Sequence, residues 1–153
     1  MKEKLLISAC LLGCRCKYDG GANALPAETL AALRAKYALL PVCPETAGGL
    51  PIPRAPSERR GGRVVTREGK DLTAEYENGA RTALTLAGRC GCRKALLKER
   101  SPSCGAGEIY DGSFSHTRIP GDGVAAEALR AAGLALYGES EADALKNGQE
   151  AEG

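Results

Sequence analysis

The chain has no tryptophan, one phenylalanine and one histidine in 153 residues, and aromatic residues make up only 4%. So few rings give no series of stacking platforms for a nucleic-acid strand. A net charge of +2, from 21 basic and 19 acidic side chains, gives no strong phosphate-binding field either. Nucleic acid is therefore not an expected partner. Long apolar runs are also missing. The stretch LLISACLL is too short to span a membrane, and it passes into Arg15, Lys17 and Asp19 without a small-residue cleavage site. No membrane partner is expected, and the chain reads as cytoplasmic. Its one histidine, His116, falls in a polar loop and reads as solvated.

Cysteine, by contrast, is plentiful, with seven residues. An odd number without a secretion signal argues for free thiols, used for metal or catalysis, and against a disulfide framework. Three of them, Cys10, Cys14 and Cys16, crowd one segment as C-x-x-x-C-x-C. That spacing matches neither the C-x-x-C pair of a zinc ribbon nor a common single-segment cluster motif. Cys90 and Cys92 form a second close pair, in the polar turn after the longest helical pattern, and read as surface thiols.

The length suits one domain with an ordinary core, and 20 glycines and 8 prolines predict many loops. An apolar run at 4–10 reads as a strand buried on both faces. A helix over 25–37 follows, with Pro26 near its start, and then a strand over 38–43. This βαβ order predicts a parallel pair. Residues 44–62 read as loop and 63–71 as a short strand or hairpin arm with a turn. A helix is predicted over 72–87, with Asp71 as N-cap and Gly88 as its stop. Strands over 94–99 and 134–138 enclose a turn at 100–107, extended pieces at 108–123 and a helix over 124–133. The expected fold is α/β: a single compact domain over 1–138 with a small, mostly parallel sheet flanked by helices in a Rossmann-like three-layer arrangement. A polar C-terminal tail over 139–153, expected as a short helical turn and a frayed end, completes the chain.

In such a sheet, ligands bind beyond the carboxyl ends of the strands. Cys10, Cys43 and Cys104 each fall at or past such an end. Three thiolates from separate loops can hold a metal centre with one position open; the plain alternative is that they are small buried packing residues. Glu45 would hang at the mouth of the same crevice, as a proton-transfer group or a solvated loop acid. Ser101 and Ser103 either position substrate and water or close a turn, and Asp19 either walls the site or serves its Asp-Gly turn. Arg54, Arg59, Arg60, Arg63 and Arg67 form a basic stretch that reads as a solvated face, the alternative being attraction of an anionic nucleotide.

Four separated motifs then stand in order: SACLLG-x-x-C-x-YDG (8–20), PVCPE with GGLPIPR (41–54), SPSCG (101–105), and IYDGSFS with PGDGV (109–124). In these the chain resembles, over about residues 4–137, the small bacterial proteins grouped as DUF523, which include thiouracil desulfidases. The resemblance implies an oxygen-sensitive [4Fe-4S] cluster held by Cys10, Cys43 and Cys104, with the fourth iron open to sulfur. It implies Glu45 and Ser101 as the catalytic pair and a small thiolated nucleobase as substrate; from their turns, Asp19 and Ser103 are the substrate-binding candidates. Cys14, Cys90 and Cys92 fall outside the motifs. Two other functions fit a cluster or metal protein of this kind: a sulfur carrier or tRNA thiolation or dethiolation factor, and a structural metal-binding protein. The last predicts closed four-ligand coordination, for example with Cys16.

Overall fold

The computed structural model describes residues 2–146. The chain runs β1 (Glu3–Ser8), α1 (Ala27–Lys36), β2 (Tyr37–Val42), α2 (Pro44–Ala47), β3 (Ser57–Arg60), β4 (Arg63–Thr66), α3 (Thr73–Cys90), β5 (Lys94–Leu97), β6 (Glu108–Tyr110), β7 (Arg118–Pro120), α4 (Val124–Ala131), β8 (Ala135–Gly138) and α5 (Ala142–Lys146). Four strands pair in the order β2-β1-β5-β8, all parallel. Leu5, Leu6 and Ile7 of β1 and Ala95, Leu96 and Leu97 of β5 are almost wholly buried, because these central strands are covered on both faces.

On one face Leu6, Ala95 and Leu97 pack with Ala83 and Ala87 of α3 and Ala126 and Leu129 of α4. On the other, Leu5, Ile7 and Leu96 pack with Leu33 of α1 and with Ala142 and Leu145 of α5. This is the expected three-layer α/β domain. The chain leaves β1 toward β2 on one side and returns to β5 on the other, so the strand order reverses at β1. A crevice opens at that switch point, beyond the carboxyl ends of β1, β2 and β5.

Several local expectations shift. The region 44–62, expected as loop, contains α2 and strand β3, which pairs antiparallel with β4 from Ser57–Thr66 to Arg60–Arg63. Proline and glycine at 44–56 and 61–62 masked a four-residue strand, SERR, whose uniformly polar residues gave it no apolar face. The long helix runs past Gly88 to Cys90, and Gly91, at φ 71°, caps it by donating to the carbonyls of Ala87 and Gly88. Asp71 accepts from the backbone N–H of Thr73 at 2.9 Å, capping from one position before Leu72. Within the segment expected as a polar tail, the short helical turn is α5, which is not merely polar: it buries Ala142 and Leu145 against the core, and Glu139 pairs with Lys98. The end of that tail, 147–153, lies outside the described residues.

Candidate functional site

Three turns bring the cysteines to the crevice. After β1 the chain makes one 3-10 turn over Ala9–Leu12, closed by Gly13 at φ 98°, and the Cys10 carbonyl accepts from Gly13 and from Asn23. After β2, Cys43 stands before Pro44, which is pre-set for the first position of α2, and the Cys43 carbonyl accepts from Ala47.

Cys104 sits in the turn 101–105, which α4 grips by its first turn. Val124 N–H donates to the Pro102 carbonyl at 2.8 Å, and Ala125 and Ala126 donate to that of Ser103. A β-carbon on Gly123 would come within 2.6 Å of the Ser103 backbone, so the PGDGV segment can approach this turn only with glycine there. β1 and β5 are tied at the same level by the Lys98 N–H, which donates to Ser8 Oγ at 2.9 Å.

One cavity of about 460 Å³ is lined by Cys10, Cys16, Cys43 and Cys104 together with Glu45, Ser101 and Ser103. Burial pushes the Cys104 thiol up to about 12, partly offset by hydrogen bonds with Ser8 and Ser103. Burial likewise raises Cys10, with Asn23 acting the other way. Cys16 is pushed up to about 12 by burial and by the neighbouring Cys43. Without a metal these three groups are therefore neutral thiols near pH 7. Among the described residues, no group of three or more His, Cys, Asp or Glu converges as the ligands of a single ion do.

Glu45 is fixed from both sides. Its Oε2 accepts from Ser103 Oγ at 2.8 Å and from Ser101 Oγ at 3.4 Å, and its Oε1 from Arg54 Nε at 3.1 Å. Ser101 Oγ also accepts from the backbone N–H groups of Ser103 and Cys104, at 3.1 and 3.0 Å. It therefore both closes the turn and faces the carboxylate. Tyr76 lies beneath: burial, and then the Glu45 charge, push its phenol above its ordinary range, and it stays protonated. Two more carboxylates line the cavity, but each holds a loop. Glu58 accepts from Gly112 and Phe114, and Glu99 from Ser140.

Asp19 is placed differently. It is exposed and its Oδ1 accepts from Gly21 N–H at 2.9 Å, closing its own turn; it is Tyr18 beside it that lines the cavity. Cys14 is exposed, and Cys90 and Cys92 belong to the core beside α3 and α4, away from the crevice.

Sequence reasoning passed over several lining residues. Arg54 is no solvated loop cation: its side chain is 6% exposed, and besides Glu45 it donates to the Cys16 carbonyl at 2.8 Å. The rest of that basic stretch is also engaged, Arg59 with Asp122 and Glu127, Arg60 with Gly112, Arg63 with Asp71 and Arg67 over Phe114. Spacing alone could not separate five arginines of one segment. His116 lines the cavity, edge-on to Tyr110. Four of the six aromatic residues, Tyr18, Tyr76, Tyr110 and Phe114, are lining residues, so the scarce rings are gathered at one place.

The chain is similar to proteins already described. A family model, 2-thiouracil desulfurase, matches residues 5–141. A Bacillus subtilis (strain 168) protein, named uncharacterized protein YbbK, is 38% identical over 147 residues, covering 90% of this chain and 96% of its own. The solved structure of a [4Fe-4S]-dependent thiouracil desulfidase, TudS, superposes with a TM-score of 0.90 at 47% identity, covering 94% of this chain and 95% of that one.

Proposed function

The chain belongs to the 2-thiouracil desulfurase family, and from that membership we propose that it removes sulfur from a thiolated nucleobase without net redox change: 2-thiouracil and water give uracil and hydrogen sulfide. The observation that supports this most is that three thiols from three strand ends share one cavity with a carboxylate clamped between an arginine and two serines.

The name of the TudS structure points to a [4Fe-4S] cluster, and Cys10, Cys43 and Cys104, which share the cavity, are the residues that would hold one here. The donor set suits that group. It is all thiol, and its members come from three separate turns that line one cavity. When bound, the cluster supplies a soft Lewis acid for the thiocarbonyl sulfur.

The remaining work falls to the chain itself. Glu45 takes the proton from the attacking water at the carboxylate oxygen that faces the serines, and returns it as the sulfur leaves. Ser101 and Ser103 orient that oxygen, and Ser103 also reaches Cys104 Sγ at 3.7 Å, so the hydroxyl pair sits between the acid and the thiol. Arg54 holds the other oxygen, which keeps the carboxylate from turning toward solvent. The Asp19 turn contributes by presenting Tyr18 at the cavity rim.

Anaerobic reconstitution followed by iron and sulfide analysis, visible absorption and incubation with 2-thiouracil tests this reading. Expected are a brown protein and equal yields of uracil and sulfide. A colourless zinc protein that releases no sulfide sinks it.

A further inference from the structure

The loop between β6 and β7 carries an aromatic ring to the cavity by an arrangement that the core does not require. Along its outer side the hydroxyls of Ser113, Ser115 and Thr117 hydrogen-bond in series. The alternate residues, Phe114 and His116, face inward and line the cavity. Both have left-handed backbones, at φ 58° and 60°, a conformation that side chains with a β-carbon disfavour.

The loop is also pinned from below by β3. Glu58 Oε1 accepts from the N–H groups of Gly112 and Phe114 at 3.0 and 3.1 Å, and Arg60 donates to the Gly112 carbonyl at 2.6 Å. Arg67 lies over the Phe114 ring, 5.5 Å from its centroid. A ring has two faces, and one of these is covered by the guanidinium. Phe114 belongs to none of the three apolar core clusters. An off-region backbone, two buried-side pins and a cation thus hold in place a ring that adds nothing to those clusters.

We infer that Phe114, backed by Arg67, is the wall on which the flat face of the heterocycle stacks, and that it restricts the site to planar thiolated rings. The inference rests on the desulfuration reading and adds to it a specificity-determining residue outside the thiols and the Glu45 network. Stacking of a base on an aromatic side chain is strong enough to decide affinity and is indifferent to the pattern of ring substituents. The cation behind the ring adds to its hold.

The test compares reconstituted wild type with Phe114→Ala, Phe114→Leu, Phe114→Tyr and Arg67→Gln, all matched for iron and sulfide content. Three quantities are read: KM and kcat for 2-thiouracil, and uracil affinity of the cluster-free protein by calorimetry. Phe114→Ala and Phe114→Leu should raise KM about tenfold with kcat nearly unchanged, and weaken uracil binding in parallel. Phe114→Tyr should behave as wild type, and Arg67→Gln should shift KM the same way by less. Arg67 is exposed, so its variant carries the test if the Phe114 variants fail to fold. Sulfide release by wild type with an unchanged KM in Phe114→Leu and Arg67→Gln overturns the wall and leaves the desulfuration reading standing. A wild type that releases no sulfide overturns both.

Discussion

Arg54 Nε lies 3.1 Å from Glu45 Oε1, and the same guanidinium donates to the Cys16 carbonyl at 2.8 Å, so one side chain ties the acid on α2 to the cysteine-bearing loop after β1. The side chains of the pair are only 6% and 15% exposed. Arg54→Ala leaves the carboxylate buried without its cation, and should cost about 3 kcal/mol in urea unfolding. Arg54→Lys keeps the charge but not the fork that spans two acceptors, and should recover part of the stability and less of the activity. Equal stability of Arg54→Ala and wild type would show that the pair does not anchor the site.

Substitution of the thiols separates ligands from bystanders. Cys10→Ala, Cys43→Ala and Cys104→Ala should each abolish the iron and sulfide content of reconstituted protein. Cys14 is exposed, so Cys14→Ala should keep both. Cys92 is 7% exposed within the core, so Cys92→Ala should keep the cluster while losing about 1 kcal/mol of stability to the void it leaves. Loss of iron in Cys14→Ala or Cys92→Ala would refute the ligand assignment.

The strand ends that place these thiols could be read from the sequence, because short apolar runs bounded by glycine and proline are what doubly covered parallel strands look like. That reading brought Cys10, Cys43 and Cys104 to one edge without any contact being known. The walls of the cavity could not be read in this way. Arg54, Phe114 and His116 reach it through loops whose paths depend on long-range hydrogen bonds, such as Glu58 to Phe114, that leave no periodicity behind. The strand β3 was missed for the same reason, since its burial comes from pairing with β4 and from the loop above it rather than from apolar alternation.

The raised thiols give the metal-free protein a defined response to pH. The Cys104 thiol stands at about 12 in the fold, against an ordinary value of 9.0. A folded value above the unfolded one means that stability is fully present below pH 9 and is lost as pH rises toward 12, where only the unfolded chain ionises freely. Metal-free protein should therefore lose stability in that window, at up to about 1.4 kcal/mol per pH unit per such thiol. Metal uptake runs the other way, because each ligand thiol must give up its proton. Between pH 6.5 and 8.5 apparent affinity should rise, by about tenfold per pH unit for every proton released. Chelator competition across that range measures the slope. A slope of zero would mean that the thiols bind metal without having been protonated, contrary to the burial of Cys104.

Two glycines that do not line the cavity set the position of Cys43 and Glu45. Gly79 lies inside α3, where alanine is favoured over glycine by about 1 kcal/mol. A β-carbon there would stand 1.8 Å from the Pro44 carbonyl oxygen, and one on Gly48 would stand 1.9 Å from that of Glu75. Both obstacles are backbone atoms, so neither clash can be relieved by turning a side chain. α2 can lie against α3 at this distance only while both positions lack a β-carbon. Since α2 carries Glu45 and begins at Cys43, pushing it outward moves a thiol and the acid together. Gly79→Ala should therefore destabilise the protein despite its better helix propensity, by about 2 kcal/mol from overpacking. It should also lower both cluster retention and sulfide release. Gly88→Ala serves as the control, being in the same helix with nothing within 4 Å of its added β-carbon. It should gain about 1 kcal/mol and leave the site unchanged. Thermal unfolding with iron analysis on the two variants decides the matter: if they respond alike, propensity rather than the α2–α3 contact governs this helix, and the site does not depend on it.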